Sequence, residues 1–303
     1  MPTTNVRGVE IAYETTGNPA DPALLIIMGL GSQLVHWPDE LVDGLAARGY
    51  FVIRPDNRDV GLSQKFTDKG VPDLPQLMMD MAAGKNPEGP YTVSDMAADA
   101  VGVLDALGID KAHIMGVSMG GMIVQHIAAE FPDRVKTLIP IMTTTGAPGL
   151  SAATPEAMGA LLTPATSSAR EDVLARNREV RHIIGSPGYP SDNARIDDYA
   201  GRAYDRCYHP EGQARQMAAV VSSGPRHELI AGIKTPTLVI HGVDDPLVPV
   251  DGGRDIAARI EGAEIVEIEG YGHDLPLELT DRFVALICDF ADKVEGRTAQ
   301  AAE

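Results

Sequence analysis

The stretch His113-Ile114-Met115-Gly116-Val117-Ser118-Met119-Gly120 decides how this chain is read, because an apolar run ends in Gly-x-Ser-x-Gly and a helical pattern begins directly after it. A serine between a buried strand and a helix occupies a sharp, strained turn that pushes its hydroxyl clear of the sheet. Gly116 and Gly120 leave room for the two elements to approach. The position is also a helix N-terminus, where free N–H groups and the helix dipole favour developing negative charge. Ser118 is thus a candidate nucleophile, set against the plainer reading of a Gly-rich turn that only packs.

Outward from this elbow the alternation continues to both ends. Strand patterns fall at residues 9–13, 23–28, 50–54, 113–117, 137–142, 237–241 and 264–269, and helical patterns at 38–48, 92–107, 119–131, 253–260 and 280–294. Residues 23–28 (ALLIIM) are apolar without a break, as in a strand covered on both faces. The expected fold is α/β, a mostly parallel central sheet with helices on both faces. Within residues 144–232 the strand signal vanishes and four helical patterns follow (155–162, 169–184, 193–208, 211–222). Residues 1–143 and 233–303 are therefore expected to form the core, and 144–232 an inserted helical cap. Residues 64–90 carry Pro72, Pro75, Pro87, Pro90, Met78, Met79 and Met81 and read as a long irregular loop, while 296–303 read as a frayed tail.

Composition narrows the function. The 303 residues include 43 Asp+Glu against 25 Lys+Arg, a formal charge of −18, so the surrounding field repels phosphate backbones and anionic lipid. Neither nucleic acid nor a membrane is expected as a partner; a small molecule is, with the chain a monomer or homodimer. A 44% hydrophobic and 22% charged composition supplies a globular core rather than a disordered chain. Cys207 and Cys288 make no disulfide framework and, lying in helical patterns, read as buried thiols. No export signal and no run of ~18 apolar residues is visible, so the expected location is cytoplasmic.

A serine hydroxyl needs a base, and the base needs an acid to hold its tautomer. His241-Gly242-Val243-Asp244-Asp245-Pro246 and Gly270-Tyr271-Gly272-His273 both follow strands, placing carboxylates and an imidazole at the C-terminal sheet edge where α/β proteins bind ligands. The order Ser118, Asp, His273 is that of one known triad architecture. Asp244 and Asp245 both qualify, and each also reads as a turn former before Pro246; the plain alternative for His273 is a solvated loop residue. His36, His113, His126, His182, His209, His227 and His241 read as packing or surface residues, with no metal-ligand spacing among them. Backbone N–H groups of Met119 and of Leu30, in the Gly29-Leu30-Gly31 turn, are the candidate oxyanion donors. Gly29, Trp37, Met78, Met142 and Met158 are candidates for lining an apolar substrate pocket, with core packing as the alternative for Trp37 and the methionines.

Together these features resemble the α/β-hydrolase superfamily over about residues 9–294. Beyond Ser118, Asp245 and His273, the segments Pro19-Ala20-Asp21-Pro22-Ala23-Leu24-Leu25, Trp37-Pro38-Asp39-Glu40 and Asp56-Asn57-Arg58-Asp59 are similar to bacterial carboxylesterases akin to aclacinomycin methylesterase. The resemblance implies a serine ester hydrolase with a helical cap, no cofactor and no metal. It also selects Asp245, three positions after Gly242, as the acid, with Asp244 as runner-up. Met28 stands where many relatives carry histidine, and Asp59 follows Arg58 where many carry glycine; neither change removes a backbone donor. Residues 64–90 are longer than in the methylesterase-like members. Serine at the nucleophile position disfavours the haloalkane dehalogenase and epoxide hydrolase branches. The expected activity is hydrolysis of a small to medium apolar carboxylic ester through an acyl-enzyme. A cofactor-free perhydrolase, a C–C bond hydrolase and a non-catalytic ligand-binding protein are the alternatives.

Overall fold

The apolar run at residues 23–28 forms β3 (Ala23–Ile27), and every residue in it is buried. Its side chains part by the period of two: Leu25 and Ile27 face one core, Leu24 and Ile26 the other. Around β3, in a computed structural model that describes residues 1–297, eight strands form one sheet in the order β1-β2-β4-β3-β5-β6-β7-β8. These are β1 (Thr3–Val6), β2 (Val9–Thr16), β4 (Phe51–Pro55), β5 (Ala112–Val117), β6 (Val135–Ile141), β7 (Leu238–Gly242) and β8 (Glu264–Ile268). From β4 to β8 every pairing is parallel, with Leu25 set between Ile53 and Ile114; β1 and β2 run antiparallel at the edge.

Helices cover both faces, as the alternating pattern predicts. On one side α3 (Val93–Ala106), α4 (Met119–Glu130) and α10 (Asp251–Arg259) pack on Ile53, Ile114 and Val239; on the other, α1 (Asp39–Ala47) and α11 (Thr280–Glu295) pack on Val52, Met115 and Ile240. A Thr92 cap bonded to Asp95 N–H starts α3. Between β6 and β7 the chain forms α5 (Pro155–Leu162), α6 (Arg170–Ile184), α7 (Asn193–Arg206), α8 (Pro210–Ser223) and the short α9 (His227–Ile230).

Three expectations need correction. β1 escapes the pattern because TTNV has one buried residue, Val6, and is held by antiparallel pairing to β2 rather than by an apolar face. Residues 64–90 are not irregular throughout: Asp73 caps α2 (Leu74–Ala82) by accepting from Gln76 N–H, and α2 packs beside α8. Cys207 lies just past the end of α7 and is half-exposed, so only Cys288 is a buried thiol. Of the tail at 296–303, residues 298–303 lie outside the described residues. Gly296 closes α11 in the left-handed region, and Arg297 pairs with Asp292 at 3.1 Å. Among the described residues no helix is long and apolar enough to cross a membrane.

Buried polar groups are matched across the layers. His113 of β5 meets Thr137 Oγ1 at 2.9 Å and Glu295 Oε1 at 3.1 Å beside the Tyr50 ring. Burial pushes this imidazole down from the usual 6.5 to about 4. The unfolded chain therefore binds a proton that the folded one refuses. Stability present above pH 6.5 is lost as pH falls towards about 4. Urea melts at about pH 7 and about pH 5 are expected to show the lower midpoint in acid. His113→Gln should make that fall shallower without abolishing it, since burial also lowers His126 and His241.

Candidate active site

At the C-terminal edge of the sheet, β5 turns into α4 with Ser118 at φ 54° and ψ −120°, a region that side-chain-bearing residues rarely occupy. Two glycines allow it. A Cβ on Gly116 would lie 2.2 Å from Gly120 O, and one on Gly120 would lie 2.0 Å from Ile27 O, so strand, helix and β3 meet backbone to backbone. The turn is held by Ser118 N–H bonding to Ile141 O at 3.0 Å and by Thr143 Oγ1–H bonding to Ser118 O at 2.8 Å.

The loops after β7 and β8 bring the other two side chains in. His273 Nε2 lies 2.9 Å from Ser118 Oγ, and His273 Nδ1 lies 2.7 Å from Asp245 Oδ2. A carboxylate only accepts, so Nδ1 carries the proton and Nε2 is left to accept from the serine hydroxyl. Asp245 Oδ1 accepts the N–H groups of Leu247 and Val248 at 2.9 and 2.8 Å, which fixes the carboxylate plane. Asp245 is 5% exposed and His273 6% exposed, so water competes little for their bond. Asp244 turns away and accepts Gly270 N–H at 2.7 Å, tying the two loops together. The structure thus brings Ser118, Asp245 and His273 into one line and leaves Asp244 out of it.

The Gly29-Leu30-Gly31 turn faces the elbow: a Cβ on Gly29 would stand 3.2 Å from Ser118 Cβ. Ser32 N–H bonds to Gly29 O at 3.2 Å with Gly31 at φ 66°, the arrangement of a type II turn. Among the described residues neither Leu30 N–H nor Met119 N–H donates to another protein atom. Two free donors, a hydroxyl and an oriented imidazole suit transfer of an acyl group through an oxyanion.

The pocket candidates divide. Gly29 adjoins Ser118, while Met78 and Met158 are half-buried on α2 and α5. Trp37 and Met142 are packed in a core cluster. Trp37 is fully buried with Leu41, Leu45 and Phe283 on the α1–α11 side of the sheet, and Met142 lies in the same cluster with its sulfur 3.4 Å from Tyr271 Oη.

Several supporting residues were given no role from the sequence. Asn57 Nδ2–H bonds to Met28 O at 3.0 Å and Asp56 Oδ1 accepts Leu34 N–H at 2.8 Å, bracing the turn from both sides. After α6, Ile184 O accepts His273 N–H at 2.7 Å, and Ser186 Oγ accepts Gly272 N–H at 2.9 Å while donating to Asp274 at 2.5 Å. Burial raises the Asp274 carboxyl above the usual carboxylate range. The partners in this last group lie 86 to 89 positions apart in the chain, beyond any local motif. No group of three His, Cys, Asp or Glu side chains converges on a metal position among the described residues.

A family model described as alpha/beta hydrolase fold matches residues 22–278. The chain is similar to rhodomycin D methylesterase of Streptomyces sp. (strain C5), 32% identical over 95% of this chain and 97% of that one. It is also similar to the 2-hydroxy-6-oxononadienedioate/2-hydroxy-6-oxononatrienedioate hydrolase of Burkholderia vietnamiensis, 26% identical over 93% and 91% of the two chains. Among solved structures the enol-lactonase from Burkholderia xenovorans superposes with a TM-score of 0.70 at 24% identity, covering 95% of this chain and 99% of that one, a likeness of fold.

The backbone contacts at the elbow make a direct expectation. Gly120→Ala should cost about 3 kcal/mol or more in a denaturant melt, because its Cβ meets fixed backbone. Gly159→Ala, in α5 with open space around it, should gain about 0.5–1 kcal/mol.

Proposed function

The chain belongs to the α/β-hydrolase fold family and is an ester-hydrolysing enzyme; from that premise we propose that it is a serine carboxylesterase acting on a small to medium apolar ester through an acyl-enzyme. The observation that carries the proposal is the hydrogen-bonded line from Ser118 Oγ through the His273 ring to Asp245.

In this reading His273 Nε2 takes the Ser118 proton as Oγ attacks the ester carbonyl, and Asp245 steadies the imidazolium that forms. The carbonyl oxygen becomes an oxyanion held by Leu30 N–H and Met119 N–H. These donors are already in place, so little reorganisation opposes the step. His273 then protonates the departing alcohol, leaving Ser118 acylated. Next it removes a proton from water, which attacks the acyl carbon, and returns that proton to Ser118 Oγ as the acid is released. The chain between β6 and β7 acts as a cap, with Met78 and Met158 lining the apolar side of the pocket; their unbranched side chains adapt to varied shapes.

The 32% identity to a protein named a methylesterase favours a methyl or similarly small alcohol half. A C–C bond hydrolase on the same residues is the second reading, drawn from the 26% likeness above. Product analysis on a methyl ester and on a β-diketone separates the two.

Ser118→Ala is expected to lower kcat by about 10⁴-fold or more on ester substrates, and near-normal turnover ends the serine mechanism. Steady-state kinetics should also rank the carboxylates: Asp245→Asn costs about 10⁴-fold in kcat through the wrong histidine tautomer, Asp244→Asn less than about 10-fold. The reverse order would overturn the assignment of the acid.

A further inference from the structure

The oxyanion turn is held from a distant helix. Gly31 N–H donates to Gln216 Oε1 at 2.8 Å, and Gln216 Nε2–H donates to Arg58 O at 2.8 Å, with the side chain fully buried. A carboxamide with a donor on one side and an acceptor on the other fits in one orientation only. We propose that Gln216 is a positioning residue for the ester hydrolysis, fixing the peptide between Leu30 and Gly31 so that Leu30 N–H is presented to the oxyanion; this rests on the reading of Leu30 as a donor.

The physical case is the type II turn at Gly29–Ser32. Its central peptide is joined to neighbouring atoms by soft dihedrals and turns over when the φ of Gly31 changes sign, which glycine permits. Within the turn, Ser32 N–H to Gly29 O closes the ends, and the central peptide has only a long contact from Ser32 Oγ–H to Leu30 O at 3.5 Å. Gln216 supplies the missing acceptor. Without it the peptide can turn over, which changes the ψ of Leu30 and loosens the frame on which Leu30 N–H is held.

Gln216 is itself immobile because the preceding residue anchors α8. Arg215 Nε and Nη2 donate to both oxygens of Asp59 at 2.9 and 2.8 Å, and Nη1 donates to Gly70 O at 2.9 Å. Asp59 sits at φ 71°, completely buried, and also accepts from Tyr91 Oη at 2.7 Å. Above the turn Gln213 closes the remaining space, its Oε1 lying 2.9 Å from where a Cβ on Gly31 would be. Within a single turn of α8, Gln213, Arg215 and Gln216 thus cover the Gly29–Ser32 turn, fasten the helix to the loop after β4 and hold the peptide.

The test is Gln216→Met, which keeps length and apolar bulk but not the two hydrogen bonds. Active sites are counted by end-point labelling with a fluorophosphonate, so that misfolded molecules drop out. Per titrated site, kcat should fall about 10- to 100-fold with KM within about 3-fold, and affinity for a trifluoromethyl ketone should fall by the same factor as kcat/KM. An unchanged kcat per titrated site overturns the proposal, as does a loss confined to KM. Amide hydrogen exchange on the parent protein gives an answer that does not depend on the variant folding. Gly31 N–H should exchange at least about 10²-fold more slowly than Leu30 N–H, and equal exchange counts against Gln216. A parent protein whose Ser118 takes up no fluorophosphonate sinks the serine mechanism instead, with the Gly31 exchange result unaffected.

Discussion

The close approach of three backbones beneath Ser118 governs this structure. With only hydrogen on the α-carbons of Gly116 and Gly120, β5, β3 and α4 come near enough that any Cβ would overlap a main-chain atom. That contact compresses the strand-to-helix turn until Ser118 takes a positive φ, and the hydroxyl is lifted off the sheet. Strain of this kind persists only where surroundings over-determine it. Here the buried β-ladder on both sides, Ile141 O and the Thr143 hydroxyl do so. Because α4 starts at the same point, Met119 N–H is left without an intrahelical acceptor on the side where negative charge would develop.

Two loops complete the site, and helices from between β6 and β7 hold both. The segment after α6 meets the His273 loop through Ile184 O and Ser186, with Gly272 so close that a Cβ there would lie 2.4 Å from Gly185 O. A small apolar cluster of Ala157, Ala160 and Ile184 packs on Leu247, just past Asp245. On the other flank α8 reaches the Gly29–Gly31 turn and the β4 loop. Helices so attached are part of the frame on which the side chains are held.

Buried charge is concentrated along the same seam. Arg58 pairs with Asp99 at 2.7 Å under the rings of Phe66 and Tyr91, Asp59 pairs with Arg215, and Asp56 pairs with Arg206 at 2.7 Å. Such pairs give little net stability, since desolvation offsets their attraction, but losing one partner is expensive. Their effect here is selective: they fix how the helices after β6 dock, because any slip strands a charge. The Asp59 carboxylate, gripped through both oxygens by Arg215, is the anchor of α8.

Local features were legible in the sequence. The unbroken run at residues 23–28, the Gly-x-Ser-x-Gly elbow and the alternation of periods announced a doubly covered parallel sheet, since burial on two faces and on one stripe leave different repeats. Strand TTNV and helix α2 were not announced, for one relies on a neighbour's hydrogen bonds and the other on Asp73 amid prolines. Trp37 and Met142 look alike as pocket or core residues until their neighbours are known. Between Asp244 and Asp245 local spacing does not choose; the resemblance picks Asp245, and the β7 loop turns that carboxylate towards His273 and Asp244 towards Gly270. Sequence alone determined the sheet, the helices that cover it and the residue types available for chemistry, because short-range periodicity and steric size encode them. Only the tertiary structure decided what each carboxylate is bonded to and that Gln216 meets Gly31, 185 positions away, because hydrogen-bond direction depends on where separate loops end in space.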